Sequence, residues 1–276
     1  MRSEKPSKDE SIIERFIRAL HEKDRFYYAG RFVQGFVHNV NGPLQNLTML
    51  TEMLISGLDL QDRMYCSACG AEDQKWSDLV GKQRRRLTQM REQVMKLSED
   101  LREFMQLHEI ERCGTEIDIN ALLTRMAKVF RSDLFFKHQV KFELRLENNL
   151  PHIKVPGSDI VPAIFHLFQN AVEAMKDSPK KELIIETSKR AGEIVVTITD
   201  SGSGLPEGID QDVLFDLFKS GWAGSDEGTA SSNRHLGFGL YAARHLLLPY
   251  GFSVSLQRSD EGTSALIRMP LKSIPA

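Results

Sequence analysis

Three small groups of residues in the C-terminal half carry the chemistry that can be read most directly. Asp200-Ser-Gly-Ser-Gly204 ends a β-type run, so Asp200 places a carboxylate at a strand terminus. There it can accept a hydrogen bond from an exocyclic amine, while Gly202 and Gly204 let the backbone pass close to a flat base. Gly237-Phe-Gly239 opens a helical stretch, where bare backbone N–H groups can face phosphate oxygens at the positive helix end. Asn170, in HLFQNAVEAM, is a poor helix former placed mid-helix, with the carboxylate of Glu173 one turn on. Each group alone is weak, because turns are rich in Asp and Gly and a helical Asn is often an ordinary polar position. Together, in this order, they have the parts of a nucleotide site.

The elements that must position these groups read as mixed α and β. Glu116–Ile119 and Val140–Leu146 have strand patterns, with an amphipathic helix over Asn120–Phe136 between them. Ser158 is placed to cap a helix running to about Met175, with Asp159 and Pro162 in its first turns. Leu183–Thr187 and Glu193–Thr199 form a hairpin of β-branched strands, Gly237–Leu248 a helix, and Phe252–Gln257 and Ser264–Met269 a second hairpin. Strands cluster without steady βαβ alternation, which favours an α+β sandwich over a doubly wound sheet.

Upstream the periodicity is helical throughout. Val33, Val37, Val40, Leu44, Leu47, Thr51 and Leu54 alternate steps of four and three, as do Leu87, Met90, Val94, Leu97, Leu101 and Phe104. A hairpin of two such helices buries little alone. Pairing two hairpins buries both stripes, so the expectation is a homodimer held by a four-helix bundle. The competing reading packs the stripes on the chain's own C-terminal domain. Cys113-Gly-Thr115 breaks the second helix as a short linker. The resulting division is 1–25 as an N-terminal segment, 26–112 as the helical hairpin and 113–276 as the α/β domain.

The order and spacing of HLFQNAVEAM, DSGSG, LFDLFKSG and HLGFGL resemble the N, G1, F and G2 boxes of the GHKL (Bergerat) ATP-binding fold. More narrowly, the chain is similar to the sensor histidine kinases of two-component systems. That resemblance implies ATP and Mg²⁺ as cofactors, with Asn170 holding the cation and Asp200 contacting the adenine amino group. It makes 219–236 a lid over the phosphates, in which Lys219 or Arg234 neutralises charge. The Gly, Ser and Asp content of that stretch independently suggests a loop. Hydrolytic members carry a glutamate base one turn before the asparagine; here that residue is His166, which disfavours a dedicated ATPase or an ATP-driven clamp. His235 replaces a glycine common in the kinases.

His38-Asn-Val-Asn-Gly-Pro-Leu44 resembles the H box, whose histidine attacks the γ-phosphate. His38 borders the apolar stripe, and Pro43 removes a helical hydrogen bond and invites a kink. The catalytic pair is thus His38 and Asn39. An acid usually follows the histidine; Asn39 orients the ring but brings no charge, so slow transfer is expected. The residue four beyond His38, which positions water in members that also dephosphorylate their partner, is Gly42 and has no side chain. Asn41 and Gln45 are the substitutes available to that activity. The implied partners are a second copy, a response-regulator receiver domain and a separate sensor protein. A non-catalytic nucleotide-binding scaffold is the alternative, with Asn39, Gly42 and His235 in its favour.

Cys66-Ser-Ala-Cys69-Gly70 has knuckle spacing but supplies only two thiolates. A Cys₄ zinc site shared across a dimer, a redox dithiol and plain loop cysteines are the three readings. Cys113 reads as an ordinary linker residue. At 276 residues and a net charge of −2, the chain has room for two domains and lacks the footprint of a nucleic-acid or anionic-lipid binder. Gln83, Arg84, Arg85 and Arg86 make one basic cluster, read as a solvated helix start. The polar start MRSEKPSKDE has no apolar signal core, and no stretch is apolar enough for a membrane span, which together predict a cytoplasmic protein.

Overall fold

The computed structural model describes residues 40, 42–60, 73–131, 133–205, 208, 211–217, 238–259 and 262–271. His38, Asn39, Asn41, Cys66, Cys69, Lys219, Arg234, His235 and Gly237 lie outside them.

Helix α1 covers residues 42–60 and α2 covers Asp73–Cys113, a rod of about 60 Å. The two approach at Gly57, where an added Cβ would stand 3.1 Å from Gln83 Nε2, and Arg86 donates to the carbonyl of Met53. Their heptad stripe divides cleanly. Leu47 and Leu54 on α1 and Met90 and Leu97 on α2 are half-buried. Leu44 and Leu58 stay exposed two heptads apart, as do Leu87, Val94 and Leu101 at seven-residue intervals.

The lower end of α2 behaves differently. Leu107 is buried, Phe104 and Ile110 pack on the main core, and the helix lies against α3 (Ile119–Phe130) and α5 (Gly157–Ala174). The buried Glu103 accepts from Arg125 Nη1 at 2.9 Å and Lys128 Nζ at 2.5 Å, both on α3. The reading that sent the stripe to the chain's own domain therefore holds for this end. Nor are residues 113–115 a loose joint. Gly114 N donates to Ile110 O, Gly157 N donates to Gly114 O, and Val155 N donates to Thr115 O. A Cβ on Gly157 would fall 1.8 Å from Ile110 O, so α2 ends with its backbone against the start of α5.

The α/β domain is a five-stranded sheet of order β2-β4-β5-β7-β6 with helices packed on it. Its strands are β2 (Lys141–Arg145), β4 (Glu182–Arg190), β5 (Glu193–Asp200), β6 (Ser253–Arg258) and β7 (Thr263–Pro270). Only β2 and β4 pair in parallel, consistent with the expected α+β sandwich. Leu183 and Ile185 of β4 and Ile194, Val196 and Ile198 of β5 point into the core at two-residue intervals. Above them lie α3 (Ile119–Phe130), α5 (Gly157–Ala174) and α6 (Gly239–Leu247), with Phe130 stacked 5.0 Å from Phe168.

Four local readings change. The helix expected over Asn120–Phe136 is two, because Asp133 caps a second, α4 (Leu134–Gln139), by accepting from Phe136 N. Ser158 does not cap α5. The helix begins two residues earlier, at Gly157 with Pro156 in the cap position, and Ser158 Oγ donates to Asp159 instead. The first hairpin extends β4 to Arg190 because Ala191 (φ 48°) and Gly192 (φ 85°) make a two-residue turn that suits the strand twist. A short pair of β1 (Glu116–Ile117) and β3 (Ile153–Lys154) accounts for the segment before α5, where no strand was expected.

Candidate nucleotide site

One helix organises the site. Along α5, His166, Asn170 and Ala174 recur every four residues and so share a face. At the upper end, His166 is buried beneath the first turn of α6. A Cβ on Gly239 would meet its Nδ1 at 3.3 Å. At the lower end, Ser203 N donates to Ala174 O at 3.1 Å, and a Cβ on Gly202 would stand 2.5 Å from the Ala174 methyl. Only glycine admits this approach. Asn170 lies between the two contacts and is half-buried. Glu173 is buried and accepts from Gln169 Nε2 at 3.1 Å, so it faces a neighbour on its own helix.

Asp200 closes β5 at 6% exposure. Burial pushes its carboxyl up to about 6, against the opposing pull of backbone hydrogen bonds from Gly202 and Thr263. The Gly202 N–H reaches Asp200 Oδ1 at 2.8 Å, and Ser201 ties the same turn to β4 by accepting from Glu182 N and donating its own N–H to Glu182 O. Gly204 adopts φ 77°, a left-handed backbone suited to glycine. The carboxylate is thus fixed in a closed turn with little water, where an amine donor would be strongly held.

Three contributors were not singled out from sequence. Gly262 passes so close to β5 that a Cβ would lie 2.1 Å from Asp200 O, and Thr263 pairs with Asp200 across the ladder. The signal was available as Gly-Thr immediately before the alternating β7. The third is Arg244 on α6. Its Nη1 is 3.0 Å from Asp212 Oδ1, and its guanidinium lies 4.9 Å above the centre of the Phe215 ring.

The structure thus brings together Asn170, Asp200, Gly202 and Gly239, with Gly204 on the same turn as Asp200. No cluster of three His, Cys, Asp or Glu side chains suited to a metal occurs among the described residues. Among them, no helix is long and apolar enough to cross a membrane.

Residues 157–273 match the family described as histidine kinase-, DNA gyrase B- and HSP90-like ATPases, so this domain is of the GHKL class. The sensor protein FixL of Bradyrhizobium diazoefficiens is 30% identical over 105 residues, which cover 35% of this chain and 19% of that protein. The sensor-like histidine kinase SenX3 of Mycolicibacterium smegmatis is 22% identical over 254 residues, covering 88% of this chain and 57% of SenX3. A solved structure, the catalytic domain of histidine kinase ThkA, superposes with a TM-score of 0.46 at 19% identity, over 56% of this chain and 94% of that one. In sequence the chain is thus similar to sensor histidine kinases, with the family match confined to residues 157–273. It spans less than two thirds of the length of the curated relatives it matches.

Proposed function

We propose that the chain is a histidine protein kinase that transfers the γ-phosphoryl group of ATP to His38 and passes it to an aspartate of a receiver domain. The observation that carries this reading is the line along α5, which sets Asn170 between two close glycine approaches and next to a buried carboxylate. Asp200 accepts from the adenine amino group. Gly202 leaves the base room against the turn, and the backbone around Gly239 meets phosphate at the amino end of α6. Lys219 and Arg234 are the candidate cations for the remaining phosphate charge.

Asn170 fits a hard cation: its amide oxygen is a suitable ligand, it is partly open, and it stands where phosphates would enter. Mg²⁺ bound there would screen the phosphate oxygens. At His38 a neutral imidazole nitrogen attacks the γ-phosphorus. The nitrogen–phosphorus bond forms as the bond to the ADP oxygen breaks, and Asn39 holds the other ring nitrogen through its amide oxygen. Without a carboxylate at position 39 the transfer is slow, by a barrier increment of about 2–4 kcal/mol. The exposed seven-residue stripe of Leu87, Val94 and Leu101 supports a homodimer through a four-helix bundle.

Asn39 also favours a second reading, a scaffold that binds nucleotide without transferring phosphate. Incubation with γ-labelled ATP and Mg²⁺ separates the two. Acid-labile, base-stable label on the wild type and none on His38→Ala is the expected result, and Asn39→Asp should label faster. Unlabelled wild type that still binds ATP would establish the scaffold.

A further inference from the structure

Arg244 is the residue whose contacts the nucleotide reading leaves unused. It lies on α6, five residues beyond Gly239, and reaches back to the short 3₁₀ turn Gln211–Phe215. It makes two contacts of different kinds there. The ion pair to Asp212 is exposed at both ends, with the aspartate side chain 79% and the arginine 42% accessible, so it contributes little to folding by itself. The contact with Phe215 is geometrically more demanding, because the guanidinium carbon sits over a ring that is itself buried at 5% exposure. Leu214 and Phe215 belong to the main core, while Asp212 and Val213 face solvent, so the turn is anchored along one side only. Arg244 closes the other side. The helix it closes against is the one whose first turn covers His166, one turn from Asn170.

We propose that Arg244, in the last turn of α6, is a positioning residue for the nucleotide site, which holds the 210s turn against α6, seats that helix, and thereby sets affinity for ATP. It does so without touching the reacting atoms. The inference rests on the nucleotide reading above and adds a residue to it. Two physical consequences distinguish it from a purely structural ion pair. Loss of the clamp should act on substrate affinity and leave turnover at saturating ATP unchanged, because α6 sits at the nucleotide while the phosphoryl acceptor is on another element. Lysine should restore only part of the affinity, since it keeps the charge opposite Asp212 but cannot stack as a plane on Phe215.

The test uses the full chain with Mg²⁺ and a fluorescent ATP analogue, comparing wild type, Arg244→Ala, Arg244→Lys and Asp212→Ala. The expected result is about a fivefold rise in Kd for Arg244→Ala, with a smaller rise for Arg244→Lys and Asp212→Ala. The nucleotide-free melting temperature should change little, and any labelling at saturating ATP should keep its rate. Wild-type affinity in Arg244→Ala overturns the inference and leaves the nucleotide reading standing. An affinity loss matched by a lowered melting temperature, and absent from the highly exposed Asp212→Ala, also overturns it by showing a role in folding alone. Failure of the wild type to bind the analogue removes both readings.

Discussion

The two ends of α2 obey different rules. Near Val94 the helix leaves apolar side chains in solvent at seven-residue intervals, and about two turns earlier Arg86 donates to Met53 O on α1. Near Leu107, about three and a half turns beyond Val94, the same helix is welded into a closed core, with Glu103 held by two cations and its last carbonyls against Gly157. A heptad stripe alone does not tell which surface will cover it. Where the α/β domain lies alongside, the domain does so; where it does not, the stripe awaits something else. From Glu103 onward α2 thus shares in the packing of the α/β domain.

Paired substitutions can break or sharpen that contrast. The largest effect is expected at Phe168, fully buried and stacked on Phe130. Phe168→Ala should cost about 3–5 kcal/mol in urea unfolding of the α/β domain. Val94→Ala should leave that transition in place and act on dimer dissociation, read by sedimentation at decreasing concentration. A comparable loss of domain stability from both would erase the distinction.

Glycine provides the next comparison, since one substitution meets opposite surroundings. Gly157→Ala drives a methyl against the end of α2 and should destabilise by about 1–3 kcal/mol. Gly81→Ala, in the middle of α2 with nothing within 4 Å, should stabilise the helical arm by up to about 1 kcal/mol. Thermal unfolding of the two variants side by side checks both signs.

The last comparison separates site from scaffold. Asp200 has a folded-state pKa of about 6, above its ordinary 3.8, so the folded chain holds that proton more tightly than the unfolded one. Its contribution is complete below pH 3.8 and is lost as pH rises through about 6. Asp200→Asn removes this loss. Without nucleotide the variant should gain about 1–2 kcal/mol over wild type at pH 8 and about half of that at pH 5. Affinity for ATP should fall even as stability rises. A gain that does not grow with pH would contradict the assigned cause.

Much of the molecule was legible because its signals are local. Both hairpins, the α5 helix and the two glycine-bearing turns are specified by alternation, by β-branched runs and by residues that only a turn tolerates. Their order carried the resemblance to the sensor histidine kinases. Local signals also misled where two competed. Asp133 outweighed the apolar periodicity of Asn120–Phe136 by capping a second helix, and the close approach of Ile110 to Gly157 moved the start of α5 ahead of Ser158.

The sequence by itself determined that Asn170, Asp200 and the glycines would occur on a helix, a strand end and turns of an α+β domain, since short-range sterics and hydrophobic period set those elements. Tertiary structure alone decided that His166, Asn170 and Ala174 form a line between two glycine contacts, that Gly262 closes over Asp200, and that Arg244 reaches Phe215. Those relations join residues tens of positions apart. They depend on which faces pack together, and no local propensity encodes that distance.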